Sequence, residues 1–66
     1  MNAKTIGKRL VLLRGKRPQA VVAKDLGISI SALSMYENGY RIPRDEVKCR
    51  IAEYYGKSIQ EIFFAA

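Results

Sequence analysis

Glycine and proline residues divide this chain into short segments, within which apolar residues recur at helical spacing. The two prolines and the five glycines are expected at the joints between these segments. No segment shows the alternation of apolar and polar residues that is typical of a strand, and no repeat or linker interrupts the series. The sequence therefore predicts an all-α fold of five short helices.

Capping residues predict the ends of the first two helices. Thr5 is expected to cap the first helix, which ends at Gly15 and carries an inward face of Ile6, Leu10 and Leu13. Pro18 suits the first position of the second helix, and Gly27 closes it. The inward residues of this second helix are Val22, Ala23 and Leu26. Both helices are therefore expected to turn one apolar side towards a common core.

Similar signals bound the other three helices. Ser29 can cap the third helix, and Gly39 permits a left-handed end. The acidic residues 45–46 place negative charge on the first turn of a fourth helix, where the macrodipole favours it. Ser58 and Glu61 have the spacing of a capping box before a last, apolar helix. Within that last helix, Ile59, Ile62 and Phe63 can return to the core on one face, and Phe63 is expected to close the core.

Length and composition exclude several classes of protein. With 66 residues, 48% of them hydrophobic, the chain is expected to form one domain over residues 1–66. The single cysteine, Cys49, cannot form an internal disulfide and is expected in or near the core. Because there is no histidine, we expect neither a metal site nor a cofactor. No apolar run approaches the ~20 residues that span a bilayer, so we expect a cytoplasmic protein that does not bind membranes.

The charge of the chain is unevenly distributed. The formal net charge is +6, and residues 1–24 contain no acidic residue. The basic residues of that part are Lys4, Lys8, Arg9, Arg14, Lys16, Arg17 and Lys24. Such a basic end favours an anionic partner, whether nucleic acid, an acidic membrane surface or an acidic protein.

Residues 19–38, QAVVAKDLGISISALSMYEN, are the most informative stretch. Two helices joined by a tight turn at roughly 90–120° must approach closely, and Ala23 is small where they would cross. Gly27 allows the turn. The apolar residues that would fill the wedge between these helices are Val22, Leu26, Ile28, Leu33 and Tyr36. In a basic, all-helical chain, this pattern indicates a helix-turn-helix that places its second helix in the DNA major groove.

At this point the sequence resembles the Cro/repressor, or XRE, helix-turn-helix family over about residues 5–64. The segments that carry the resemblance are IGKRL and LLR in the first helix, residues 19–38, then ENG, RIP and RIAEYYGKSIQEIFF. The resemblance implies a five-helix Cro/repressor-like domain that binds double-stranded DNA in a sequence-specific way. It further implies a transcriptional regulator, in the first place a small repressor, acting as a dimer on a two-fold-symmetric operator.

By this resemblance, residues 29–38 form the recognition helix. The candidates for base contact are Ile30, Ser31, Ala32, Ser34 and Met35. Many relatives carry Gln, Arg or Lys on the outward face, where this chain has Ile30 and Met35. Apolar side chains at these positions imply contact with thymine methyl groups, or weak direct readout.

The resemblance also implies contacts with DNA phosphates. Gln19 lies at the start of the second helix, where the family pattern uses it to bind a phosphate beside free backbone N–H groups. The other candidates for phosphate contact are Lys16, Arg17, Asn38, Tyr40, Arg41 and Arg44. Arg14 and Glu37 are expected to pair with each other across the first and third helices.

A homodimer is expected to form through the last helix. Phe64 cannot share the inward face with Phe63 and therefore suits a subunit contact. The candidate interface residues are Ile59, Ile62, Phe64 and Tyr54. Val11 and Leu12 are apolar where relatives have exposed polar residues, and Lys48 replaces a usual aliphatic residue, so the resemblance assigns none of them a role.

A second hypothesis is a protein-binding module, such as an antitoxin or the partner of an antirepressor, that uses the same fold. The apolar residues Ile30 and Met35 on the recognition helix keep this alternative open. An enzyme is not expected, because no general base or nucleophile pair is visible. A chain of this length also leaves little room for a small-molecule effector site.

Overall fold

A computed structural model describes residues 1–65, and within that range the secondary structure is entirely helical. Four α-helices are followed by one short π-helix. Their bounds are α1 Ala3–Arg14, α2 Gln19–Leu26, α3 Ile30–Glu37, α4 Asp45–Tyr55 and the π-helix Gln60–Phe64. The all-α prediction of five helices is therefore confirmed.

The first two helices begin at residues other than those predicted. Asn2, not Thr5, caps α1, because its Oδ1 accepts from the backbone N–H groups of Lys4 at 3.0 Å and Thr5 at 3.1 Å. The apolar stripe begins only at Ile6, one turn after the helix itself, so the stripe alone places the start too late. Pro18 is the N-cap of α2 with extended backbone, and not its first helical residue.

The caps of α3 and the π-helix agree with the sequence. The hydroxyl of Ser29 accepts from the N–H of Ala32 at 3.0 Å. In the capping box, the Glu61 carboxylate accepts from the N–H of Ser58 at 2.9 Å, and the Ser58 hydroxyl accepts from the N–H of Glu61 at 3.0 Å. The hydrogen bond from the Ser58 backbone, and then that from its hydroxyl, lower the pKa of Glu61 below its ordinary value. The two predicted caps are thus confirmed.

One core lies between the helices. It is formed by Ile6, Leu10, Val22, Ala23, Leu26, Leu33, Tyr36, Val47, Ile51, Ala52, Ile62 and Phe63. Phe63 is 1% exposed and closes this core as predicted. Arg9 fastens the last turn to α1, because its guanidinium donates to the carbonyls of Ile62 at 2.8 Å and Ala65 at 2.7 Å.

Gly7 corrects the expectation that every glycine lies at a joint. It is buried in the middle of α1, where the helix crosses α3. A Cβ atom at this position would lie 2.5 Å from the carbonyl oxygen of Glu37 and 2.9 Å from that of Tyr36. The two helix backbones therefore meet at a point that only glycine can occupy without movement.

Two residues of α4 differ from expectation in their burial. Cys49 is exposed and is not part of the core. Lys48, which had no assigned role, is 8% exposed. Its Nζ lies 5.9 and 5.5 Å from the ring centroids of Phe63 and Phe64 and 3.4 Å from a carboxylate oxygen of Asp45. The aliphatic stem of Lys48 thus takes the place of an aliphatic residue while its amine reaches the surface.

Candidate nucleic-acid interface

The turn between α2 and α3 is fixed by backbone hydrogen bonds. The N–H of Ile28 donates to the carbonyl of Ala23 at 3.0 Å, and the N–H of Gly27 donates to that of Lys24 at 3.1 Å. With Gly27 in the left-handed region at φ 71°, this is a Schellman ending. Arg50 donates to a further free carbonyl, that of Leu26, at 2.8 Å. The relative position of the two helices is therefore held by both local and long-range contacts.

The outer side of α3 borders a shallow groove, called the recognition groove below. It is lined by Gln19, Ile30, Ser31, Ser34, Met35, Asn38 and Tyr40. Every one of these residues belongs to the sequence-derived candidates for base or phosphate contact. They meet because residues 30, 31, 34, 35 and 38 repeat at helical spacing on one side of α3, while α2 and the following loop supply the two edges.

The side chains of the recognition groove are largely open to solvent. Ile30 is 51% exposed, Met35 39% and Tyr40 74%. Ala32 departs from the predicted set, because it is partly buried and packs against the core. The reason is helical spacing, which places Ala32 next to the inward-facing residues of α3 and not among the outward-facing ones. Ala32 is therefore absent from the lining of the groove.

A buried carboxylate underlies the edge of the groove. The side chain of Glu37 is only 3% exposed and accepts from Arg14 Nε at 2.7 Å and Arg14 Nη2 at 3.1 Å. This bidentate pairing raises the pKa of Arg14, chiefly through the hydrogen bond to Glu37. The charges of the two side chains compensate each other where water is largely excluded.

Gln19 joins this pair, which the sequence did not reveal. Its Nε2 donates to Glu37 Oε1 at 2.8 Å, so the buried carboxylate orients the side chain at the start of α2. Gln19 also lines the recognition groove. No spacing rule connects residues 19 and 37, because their contact depends on how α2 packs against α3.

Arg17 is held away from the groove by contacts with other elements. Its guanidinium donates to the carbonyls of Leu13 at 3.0 Å and Arg14 at 3.3 Å at the end of α1. It also lies 5.2 Å from the ring centroids of both Tyr54 and Tyr55. Burial raises the pKa of Tyr55 in this cluster. Arg17 thus caps α1 and stacks on α4, whereas Lys16 in the same turn is exposed.

The loop after α3 presents two exposed arginines, of which Arg41 lies beside the groove. Arg41 Nη1 lies 4.0 Å from the sulfur of Met35. Arg44 pairs with Glu46 at 3.3 Å, but the two side chains are 81% and 66% exposed, so solvent screens this pair. Both guanidinium groups are therefore accessible to an anionic ligand.

Comparison with known proteins decides the family. The family model HTH_3, described as helix-turn-helix, matches residues 8–62. The chain belongs to this family. No curated protein and no solved structure gives a significant match to the chain. The family assignment confirms the resemblance drawn from the sequence and makes the protein a DNA-binding regulator of the XRE type.

The structure changes the expected subunit contact of this HTH_3 protein. Ile62 is 2% exposed and belongs to the core, so it is not available to a partner. Ile59 is partly buried against the core. Tyr54 donates its hydroxyl to Asp25 at 2.8 Å, and that hydrogen bond raises its pKa. Of the four predicted residues, only Phe64 is more than half exposed, at 51%.

Two further properties of the described residues concern membranes and metals. No helix within residues 1–65 is long and apolar enough to cross a membrane. The cysteine and acidic residues of the same range form no cluster that could hold a metal ion.

Proposed function

We propose that this regulator represses transcription by binding a two-fold-symmetric operator as a homodimer, with α3 in the major groove. The observation that carries the proposal is the recognition groove, which gathers exposed residues from α2, α3 and the following loop on one face. Arg41 lies against Met35 of the groove and Arg44 is exposed in the same loop, and both guanidinium groups suit contacts with DNA phosphates. Binding at a promoter would exclude polymerase without any further surface on the regulator.

Two copies are proposed because one recognition helix covers only a few base pairs. A second copy about 34 Å along the duplex would place its α3 in the next turn of the same groove. Phe64 supports a contact near the π-helix, because its half-exposed ring flanks a depression that Met1 also lines. With duplex DNA as the partner, the proposed place of action is the cytoplasm, and residues 1–66 act as one domain.

Selection of bound sequences from random duplexes tests the proposed DNA binding. We expect an enriched site with two symmetric halves, and an affinity that falls with salt. For roughly 6–10 phosphate contacts in a dimer, the slope of log affinity against log salt should be near −0.9 per contact. A flat salt dependence and no enriched sequence would refute the proposal.

The subunit contact is tested separately by Phe64→Glu. The variant should raise the monomer fraction in sedimentation and weaken binding to the selected site, because it places two carboxylates at a two-fold contact. Val11→Glu is the matched control, since Val11 is 43% exposed, lies on α1 and lines neither of the depressions that residues of the π-helix line. If wild type and both variants sediment alike and bind alike, the contact lies elsewhere.

The exposed, apolar Ile30 and Met35 also favour a second function, the docking of a protein partner on the recognition groove. Such a partner would compete with DNA for the same face. An antirepressor or a toxin-like protein that displaces selected DNA from the wild type, but not from Ile30→Ala, would support this second function. Substitutions that alter DNA preference and leave partner binding unchanged would speak against it.

A further inference from the structure

The recognition groove contains no charged side chain among its lining residues. Guanine is most often recognised in the major groove by a bidentate Arg or Lys, which contacts its O6 and N7 atoms. The groove therefore lacks the usual means of selecting guanine within its own lining. The exposed arginines 41 and 44 follow α3 in the chain and stand outside the lining.

The two amide side chains of the groove are already engaged within the protein. Adenine is usually selected by Asn or Gln, whose amide nitrogen donates to N7 while the amide oxygen accepts from N6. Here the amide nitrogen of Gln19 donates to Glu37 at 2.8 Å, and that of Asn38 donates to Ser34 at 3.1 Å. Each amide keeps a second N–H group, but these hydrogen bonds fix its orientation, so adenine recognition by either amide would have to fit that orientation.

The remaining lining residues are hydroxyl-bearing or apolar. A serine hydroxyl can donate or accept, so Ser31 and Ser34 discriminate weakly between bases. Ile30 and Met35 offer exposed aliphatic and thioether surface at the two ends of the serine pair. On the major-groove edge of DNA, the apolar group available to such surface is the methyl at C5 of thymine.

We infer that Ile30 and Met35 make this protein a reader of C5-methyl groups on pyrimidines, an inference that rests on the proposed DNA binding. Because the methyl group is the feature recognised, 5-methylcytosine is accepted at the same position as thymine, whereas uracil is not. Burying one methyl contributes about fourfold in affinity, which corresponds to about 0.8 kcal/mol. Two half-sites together contribute about fifteenfold.

The first experiment compares thymine with uracil. A duplex selected by the wild-type protein is resynthesised with each thymine replaced in turn by deoxyuridine, and the dissociation constants are measured by fluorescence anisotropy. At least one position per half-site should lose about fourfold in affinity, because uracil differs from thymine only in the C5-methyl group. Uracil outside the selected site provides the control for general effects of the substitution.

The second experiment adds the methyl group to another base. At the sensitive position, the T·A pair is replaced by C·G, and cytosine is compared with 5-methylcytosine. The methylated duplex should bind about fourfold more tightly than the unmethylated one. This pair of duplexes changes the methyl group and leaves every hydrogen-bonding group of the base pair unchanged.

Variants connect the effect to the two side chains. Ile30→Ala and Met35→Ala should each bring the ratio of the affinities for the thymine and uracil duplexes closer to one. In the double variant the two affinities should be equal. Leu12→Ala is the control, because it removes an aliphatic side chain that is even more exposed, at 81%, and that lies on α1 outside the recognition groove. Both groove residues are exposed, so helical circular dichroism should be retained in all variants.

The outcomes separate this inference from the proposed function. Tight wild-type binding with no loss at any uracil position would overturn methyl recognition and leave DNA binding intact. Methyl recognition by these two side chains is likewise overturned if the thymine-to-uracil ratio survives in the Ile30→Ala, Met35→Ala double variant. If the wild type enriches no duplex at all, DNA binding and methyl recognition both fail.

Discussion

The two sides of α3 differ in what constrains the residue type at each position. On the inner side, Leu33, Tyr36 and Glu37 are buried, and the Glu37 carboxylate is held by Arg14 and Gln19. On the outer side, Ile30 and Met35 are exposed. The inner side is thus specified by the fold itself, whereas the outer side is free to vary with the ligand. Substitutions on the first should change stability, and those on the second should change recognition.

The largest expected effect comes from removing the buried carboxylate. Glu37→Ala should lower the free energy of unfolding by about 3 kcal/mol or more, because Arg14 is left partly buried without its partner. A domain of this size has only about 3–10 kcal/mol in total. Urea denaturation at pH 7 measures the change. Glu46→Gln is the control, and its exposed pair with Arg44 should contribute less than about 1 kcal/mol. Equal losses in the two variants would contradict the distinction between the buried carboxylate on the inner side of α3 and an exposed one.

A smaller effect is expected where α1 crosses the inner side of α3. Alanine is a better helix former than glycine by about 1 kcal/mol, so Gly7→Ala would stabilise an exposed helix. Here the added Cβ meets the carbonyl oxygen of Glu37, and overpacking should instead destabilise by about 1–3 kcal/mol. Thermal unfolding shows whether Gly7→Ala raises or lowers the stability of the protein. Lys8→Ala, at the exposed neighbouring position, should leave the melting temperature nearly unchanged. A stabilised Gly7→Ala would show that the two backbones separate at little cost.

On the outer side, Arg41→Ala and Arg44→Ala should leave stability unchanged and weaken binding to all DNA sequences alike. Phosphate contacts position a protein without reading bases. In a dimer, each substitution should reduce the salt slope by about two, since one contact per subunit is lost. The slope and the base preferences of selected sites measure the two parts of this prediction. A changed base preference would show that these arginines contact bases and not phosphates.

The smallest effect concerns a carboxylate that is exposed, unlike Glu37. Because the pKa of Glu61 is lowered in the folded protein, its contribution to stability is present above the ordinary value of 4.5 and is lost as the pH falls through the lowered value. Glu61→Gln retains a side chain that fits the capping box but does not titrate. The difference between the urea midpoints at pH 7 and pH 3 should therefore be slightly smaller in this variant. An identical difference would show that the capping box contributes no pH dependence.

Local signals predicted much of the fold. Ser29, Gly27 and the Ser58–Glu61 box were recognised because their partners lie within a few residues of the chain. Spacing along α3 also suffices to place Ile30, Ser31, Ser34 and Met35 on one side of the helix, although it does not predict the groove that they line. The core stripe followed from the same periodicity.

Features that depend on which helices meet were not predicted. The sequence predicts that Gly7 lies at a joint between helices. In the structure glycine is required there because the α3 backbone passes too close to allow a Cβ atom. Lys48 and Cys49 are adjacent on α4, yet the lysine is buried, with its Nζ 5.9 Å from the ring centroid of Phe63, and the cysteine is exposed. Similarly, the hydrogen bonds by which Arg9 fastens the last turn to α1 join residues more than 50 positions apart. Residue type alone indicates none of these contacts.

The bonds from Arg9 to the last turn also bring the two ends of the described chain together. Met1 and Ala65 line one depression, which shares no residue with the recognition groove. A fluorescent protein or affinity tag attached at either end would therefore lie away from α3 but beside the proposed subunit contact at Phe64. For the same reason, a circular permutant would need only a short linker to join its former ends. Such a permutant would carry its new ends wherever an exposed loop is opened, and DNA binding would report whether the core tolerates the cut.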